Sequence, residues 1–260
     1  MPTHTPIKTN FRDTIDYPNK IDLIVSSVRP FREDEKYAAL QKAAILSWGP
    51  VANRIILFNQ PEDLGGWTAP GVFCVMPDAN PPPIRQLLSV VKDLEPQMTV
   101  AIVNADITLA APIAKIPRCA FEHRLSLSWA CCSLRYTFDS DGKLGIAAAT
   151  PPLLSNPKDY GLDFFCAPAR IWQECLKELP GVLTLARSPW DNWVNGWLRG
   201  RVDASRYFDI TEWRAVFHPK HARDGRAEPL PPLPADEVAK ALSVAPHPGG
   251  VPRLKFNLPQ

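Results

Sequence analysis

Two spacings of apolar residues alternate along the first hundred positions. Ile21-Asp-Leu-Ile-Val-Ser26 is a short apolar run that predicts a strand, with Ser27-Val-Arg-Pro-Phe31 as the loop after it. From Glu33 to Trp48 the apolar positions Tyr37, Leu40, Ala44, Ile45 and Trp48 recur at three and four, predicting a helix that Gly49-Pro50 stops. Arg54–Phe58 and Val72–Val75 read as strands, separated by the polar loop Asn59–Asp63. Pro83–Leu94 reads as a helix with Ile84, Leu87, Leu88 and Val91 on one face. Thr99–Leu109 is rich in β-branched and apolar residues on both parities, as a strand buried on both faces requires. The order β-α-β-β-α-β over residues 21–109 predicts a mostly parallel sheet with right-handed crossovers.

The second half is less periodic. Leu125–Tyr136 predicts a strand or edge element, Ser140-Asp-Gly142 a turn, and Gly161–Ala167 a strand. Pro168–Leu179 and a segment from Pro189 to Leu198 predict helices, the second carrying a stripe of Trp190, Trp193 and Trp197. Such a stripe reads first as core packing and only second as a ligand platform. Arg206–His218 contains a late strand ending at the histidine, followed by a basic loop, 219–226. The remainder is proline-rich, with one helical candidate, Asp236–Leu242. The expected division is an arm, 1–20, a folded α/β domain, 21–226, and a proline-rich tail, 227–260.

Composition changes this picture in one respect. The 29 prolines cluster near 77–83, 151–152, 229–234 and 246–259, which implies long loops and an extended tail rather than a helical bundle. Apolar content of 45% and charged content of 22% are those of an ordinary globular chain, and a net charge of +2 gives no whole-protein field that demands nucleic acid. No apolar run approaches the ~18 residues of a membrane span, and the six cysteines lack metal-clip spacing. A cytoplasmic protein with reduced core thiols is the expectation.

Candidate chemistry lies where apolar elements end. Ligands of open α/β sheets gather at the carboxyl ends of strands, so Asn104 and Asp106 could hold a cation or a metal-bound phosphate; the plainer reading is a turn aspartate. Asp163 could cap a turn, Asp191 could cap its helix, and His218 could be a strand-end histidine satisfied by the core.

The ordered segments IDLIVSSVRPF, LQKAAILSWGPVANRIILFNQPED, IVNADITL, GLDFF, SPWDNWVNGWL and DITEWRAVFHPKH resemble the GT-A class of nucleotide-sugar glycosyltransferases over residues 21–221. Within it they look most like the phage and kinetoplastid base J-type DNA glucosyltransferase group. The resemblance implies a GT-A-like, Rossmann-related fold: a mostly parallel central sheet flanked by helices, with a smaller acceptor-side β element. It implies a hexose, glucose from UDP-glucose, moved to a hydroxyl such as that of a 5-hydroxymethylpyrimidine in DNA. It also implies Mn²⁺ or Mg²⁺ on the diphosphate, held by Asp106 and His218, with Asn104 standing where the family's Asp-x-Asp pair has its first acid. Asp191 matches the late acid that serves as general base in inverting members, and Asp163 would bind sugar or acceptor hydroxyls. Ser26, Arg29, Asn59, Arg85 and Asn104 fall at the donor pocket. Asn192, Trp193, Trp213, Lys220 and His221 fall on the acceptor side, with Arg199 and Arg201 as a further basic stretch. A glycan or small-molecule acceptor, or a binding module without turnover, are the alternatives; the missing first acid favours the last.

Overall fold

The structure is a computed structural model that describes residues 19–79, 81–139, 162–185, 190–220 and 254–255. The expected arm, the turn at Ser140–Gly142, His221 with its basic loop, and the helix at Asp236–Leu242 lie outside the described residues.

Strand β1 (Ile21–Ser26) leads to helix α1 (Glu35–Trp48), which begins two residues later than its periodicity suggests. Asp34 is the reason: its carboxylate accepts the Tyr37 backbone N–H at 3.0 Å and caps the first turn. Strands β2 (Ala52–Phe58) and β3 (Val72–Val75) follow. The helix expected at Pro83–Leu94 is one α-turn, α2 (Ile84–Leu87), continued as a 3-10 helix to Asp93. Strand β4 (Thr99–Val103) ends sooner than its composition implied, because the chain turns at Asn104–Ile107 and re-enters a different sheet as β5 (Thr108–Leu109). A short helix, α3 (Ile116–Glu122), was not foreseen.

Leu125–Tyr136 is split: Arg124 and Ser126 adopt left-handed backbone, and strands β6 (Ala130–Leu134) and β7 (Tyr136–Asp139) follow. Strand β8 (Leu162–Pro168), α4 (Ala169–Glu178) and α5 (Trp190–Arg201) match expectation closely. The late strand is also split, into β9 (Tyr207–Asp209) and β10 (Val216–Lys220) around a 3-10 turn; β11 (Leu254–Lys255) pairs with β9.

The main sheet has the order β11-β9-β6-β8-β4-β1-β2-β3, and β8 alone runs against its neighbours. A smaller sheet, β5-β10-β7, stands beside it. This is the α/β architecture expected from the sequence: a mostly parallel sheet flanked by helices, with a small second β element. One face packs on α1 and α3, where the Trp48 indole donates to the Ile107 carbonyl at 2.7 Å. The other packs on α2, α4 and α5, where the Trp172 indole donates to the Val100 carbonyl at 2.9 Å. Trp193 and Trp197 stack in that second core with ring centroids 6.5 Å apart. Five of the six free thiols are buried, and Cys74 sits exposed on β3. Among the described residues no helix is long and apolar enough to cross a membrane.

Candidate active site

The carboxyl edge of the parallel strands collects the polar groups. β1 and β4 deliver Arg29 and Asn104–Asp106 there. β8, being reversed, delivers Asp163 near its start, and the β6–β7 junction delivers Arg135. The second sheet completes the set. Because β5 follows Asp106 by one residue and pairs with β10 through Leu109↔Val216 and Thr108↔Phe217, His218 is laid beside Asp106.

The His218 Nε2 stands 3.2 Å from Asp106 Oδ2, both side chains being about 12–13% exposed, and the Tyr37 hydroxyl donates to the same oxygen at 3.1 Å. The Arg29 guanidinium lies over the Tyr37 ring, 5.8 Å from its centroid, with its Nε donating to Glu33 at 2.8 Å. Behind this pair, Asp163 receives the Asn104 side-chain amide on Oδ1 and the Arg135 Nη1 on Oδ2 at 2.8 Å. Burial raises the Asp163 carboxyl above its ordinary value, the Arg135 charge opposes that, and the Asp106 charge adds to it. At the first turn of α5 the Asp191 carboxyl is pushed up to about 6, first by burial; the Asn192 backbone N–H opposes this and the negative Asp163 reinforces it. Asp163 thus feels Arg135, Asp106 and His218, and Asp191 feels Asp163 and Arg135.

Several expected site residues bond or pack within the fold. Ser26 is fully buried and its hydroxyl donates to the Val103 carbonyl at 2.5 Å, stapling β1 to β4. Asn59 is also buried and clamps Val28, accepting its N–H at 2.9 Å and donating to its carbonyl at 2.8 Å. It holds the loop that carries Arg29, so Asn59→Ala should cost about 2 kcal/mol in urea unfolding, by stranding two buried backbone groups. Arg85 is exposed and donates to the Leu176 carbonyl of α4 at 3.3 Å. Trp193 is wholly buried and Trp213 nearly so, and both pack in the hydrophobic cores. Asp163 has both oxygens engaged inside the chain, by Asn104 and Arg135. Asn192 is half-buried beside Asp191, and Lys220 closes β10. Arg199 and Arg201 lie at the opposite end of α5 from Asp191, about 15 Å along a helix rising 1.5 Å per residue. Arg201 is paired there with Glu178.

No family model and no curated protein matches the chain. Solved structures are similar to it. The S. aureus TarS 1-349 crystal structure aligns at TM-score 0.49 and 11% identity over 77% of this chain and 60% of that one. A second S. aureus TarS crystal structure aligns at 0.44 and 9%, over 77% and 37%. Francisella tularensis 2-C-methyl-D-erythritol 4-phosphate cytidylyltransferase (IspD) aligns at 0.40 and 9%, over 86% and 99%. The likeness is one of fold alone. This chain spans less than two thirds of either TarS structure, and no residue role is carried across.

Two participants were missed in the sequence. Tyr37 was read only as a position on an apolar stripe, although it opens a helix at a strand's carboxyl edge. Arg135 was visible as a charge interrupting an apolar run.

The structure also explains Asn104. Its amide faces the buried Asp163 carboxylate, so an acid at position 104 would set two carboxyls at hydrogen-bond distance, of which one must keep a proton. The new carboxyl's folded-state pKa would then lie above its unfolded value of about 4. Stability should fall as pH climbs from that value through the raised one. Asn104→Asp is therefore expected to match the parent near pH 4 and to lose about 2 kcal/mol by pH 8, read from urea midpoints at each pH.

Proposed function

We propose that this chain is a nucleotide-sugar-dependent hexosyltransferase, with UDP-glucose as donor and a hydroxyl as acceptor. What supports the reading is the gathering of a carboxylate–imidazole pair, Asp106 and His218, with a carboxyl tuned to about 6, Asp191, at the carboxyl edge of a mostly parallel sheet. Asp191 takes the acceptor's proton as the acceptor oxygen bonds to the sugar's anomeric carbon. The bond from that carbon to the donor's diphosphate breaks, and its electron pair stays on the diphosphate.

Three carboxylates against one arginine and one histidine leave the site net negative, so a diphosphate would bind weakly without a cation and more tightly with one. Asp106 and His218 would be the protein's ligands to a Mn²⁺ or Mg²⁺ ion, a set of two, no group of three acidic, histidine or cysteine ligands occurring among the described residues. Such an ion would neutralise charge on the departing diphosphate. Asp106→Ala should then weaken UDP binding at least tenfold in Mn²⁺ and leave it unchanged in EDTA, by calorimetry. An unaltered metal titration would remove Asp106 from the site.

For the acceptor, the proposal is a hydroxymethylated pyrimidine in DNA, supported by the basic run that begins at His218 in the sequence. Incubation with UDP-glucose and Mn²⁺, with and without hydroxymethylated DNA, tests both halves. Acceptor-dependent transfer supports the full reading. Donor hydrolysis alone keeps the transferase and moves the acceptor to a glycan or small molecule. Binding without any reaction leaves a nucleotide-sugar module, the reading that Asn104 favours.

A further inference from the structure

Arg135 is the fixed positive charge at the centre of the acidic group, and its guanidinium is only partly engaged. Nη1 donates to Asp163 Oδ2 at 2.8 Å. The other Asp163 oxygen receives Asn104 Nδ2, and the arginine pairs through Nη1 alone rather than in the two-pronged way an arginine and a carboxylate often adopt. The Arg135 Nε–H is buried with no hydrogen-bond partner, while the side chain as a whole remains 18% exposed. An ionised donor enclosed without an acceptor is unfavourable by about 1–3 kcal/mol, a cost relieved if the guanidinium tilts towards an incoming oxygen.

We propose that Arg135 is an oxyanion-binding residue: its unengaged N–H edge takes a phosphoryl oxygen of the donor's diphosphate. The identity of the anion rests on the nucleotide-sugar reading; the site itself rests on the half-used guanidinium. A planar fork suits phosphate oxygens better than a point charge does. Asp163 is in electrostatic reach of Arg135, Asp106 and His218 alike, so a diphosphate at this edge would feel the guanidinium together with that pair. Asn104 shares the Asp163 carboxylate with the arginine, taking Oδ1 while Arg135 takes Oδ2.

Inorganic pyrophosphate in EDTA is the probe, with affinity read by calorimetry at low salt. Arg135→Lys keeps a cation facing Asp163 and loses the fork. A second variant, Arg135→Met with Asp163→Asn, removes both charges and strands neither. The full-length parent should bind, Arg135→Lys should bind at least tenfold more weakly with an unfolding midpoint close to the parent's, and the double variant should fold without binding. Parental affinity in either variant, or no binding by the parent, overturns the proposal. The affinity losses occurring in a protein that neither hydrolyses UDP-glucose nor transfers its sugar would sink the transferase reading and keep the anion site. Sugar transfer with unchanged pyrophosphate binding would do the reverse.

Discussion

Asp191→Asn is expected to lower sugar transfer by about a hundredfold to ten-thousandfold while UDP affinity stays within about twofold. The amide keeps the shape of the side chain at the first turn of α5 and removes only its capacity to accept a proton. Parental activity should rise with pH through a midpoint near 6, the value to which burial and Asp163 push this carboxyl, and the variant should show no such limb. Stability should move the other way. A carboxyl whose folded pKa is raised from 3.8 to about 6 contributes stability that is lost as pH climbs across that window. Two units at about 1.4 kcal/mol each set a ceiling of about 3 kcal/mol, so Asp191→Asn should be the more stable protein at pH 7.5 and the gap should close near pH 4. Equal loss of transfer and UDP binding would reassign Asp191 to the donor side.

Arg135→Met carries the largest expected effect on folding, about 3–5 kcal/mol at pH 7.5 by urea denaturation. It leaves the Asp163 carboxylate enclosed, with Asn104 as its remaining side-chain donor, in a place where burial already raises its pKa. Protonating Asp163 relieves the charge, so the deficit should shrink towards pH 5. Adding Asp163→Asn should recover most of it, because an amide needs no counter-ion. A deficit that ignored both pH and the second substitution would mean that Arg135 matters through packing of its methylenes instead.

The parallel half of the sheet was legible because its residues obey one rule at a time. β1 and β3 were bounded to the residue by apolar runs, and α1 by its three-four spacing, with only the Asp34 cap displacing its start. The other half obeyed tertiary rules. Thr99–Leu109 looks like one strand because apolar residues continue past Val103, and only pairing with β10 shows that Thr108–Leu109 belongs to another sheet. At the site, acids at element ends were readable as candidates, and Asp106 and His218 do meet. Ser26 and Asn59 occupied plausible positions too, yet they serve neighbouring backbone, a use that residue type and position alone do not distinguish from ligand binding. Arg135 escaped because its partner, Asp163, is brought to it by an antiparallel strand pair rather than by proximity in the chain.

The single reversed strand divides this domain in a way that bears on how it could diversify. Each parallel strand meets the reactive rim as it exits the sheet, whereas β8 meets it on entry, immediately downstream of residues 140–161. Substitutions at the start of β8 would therefore act on Asp163 and its partners Asn104 and Arg135 while β1 and β2 kept their register. The entering strand and the exiting strands can thus vary separately at one rim.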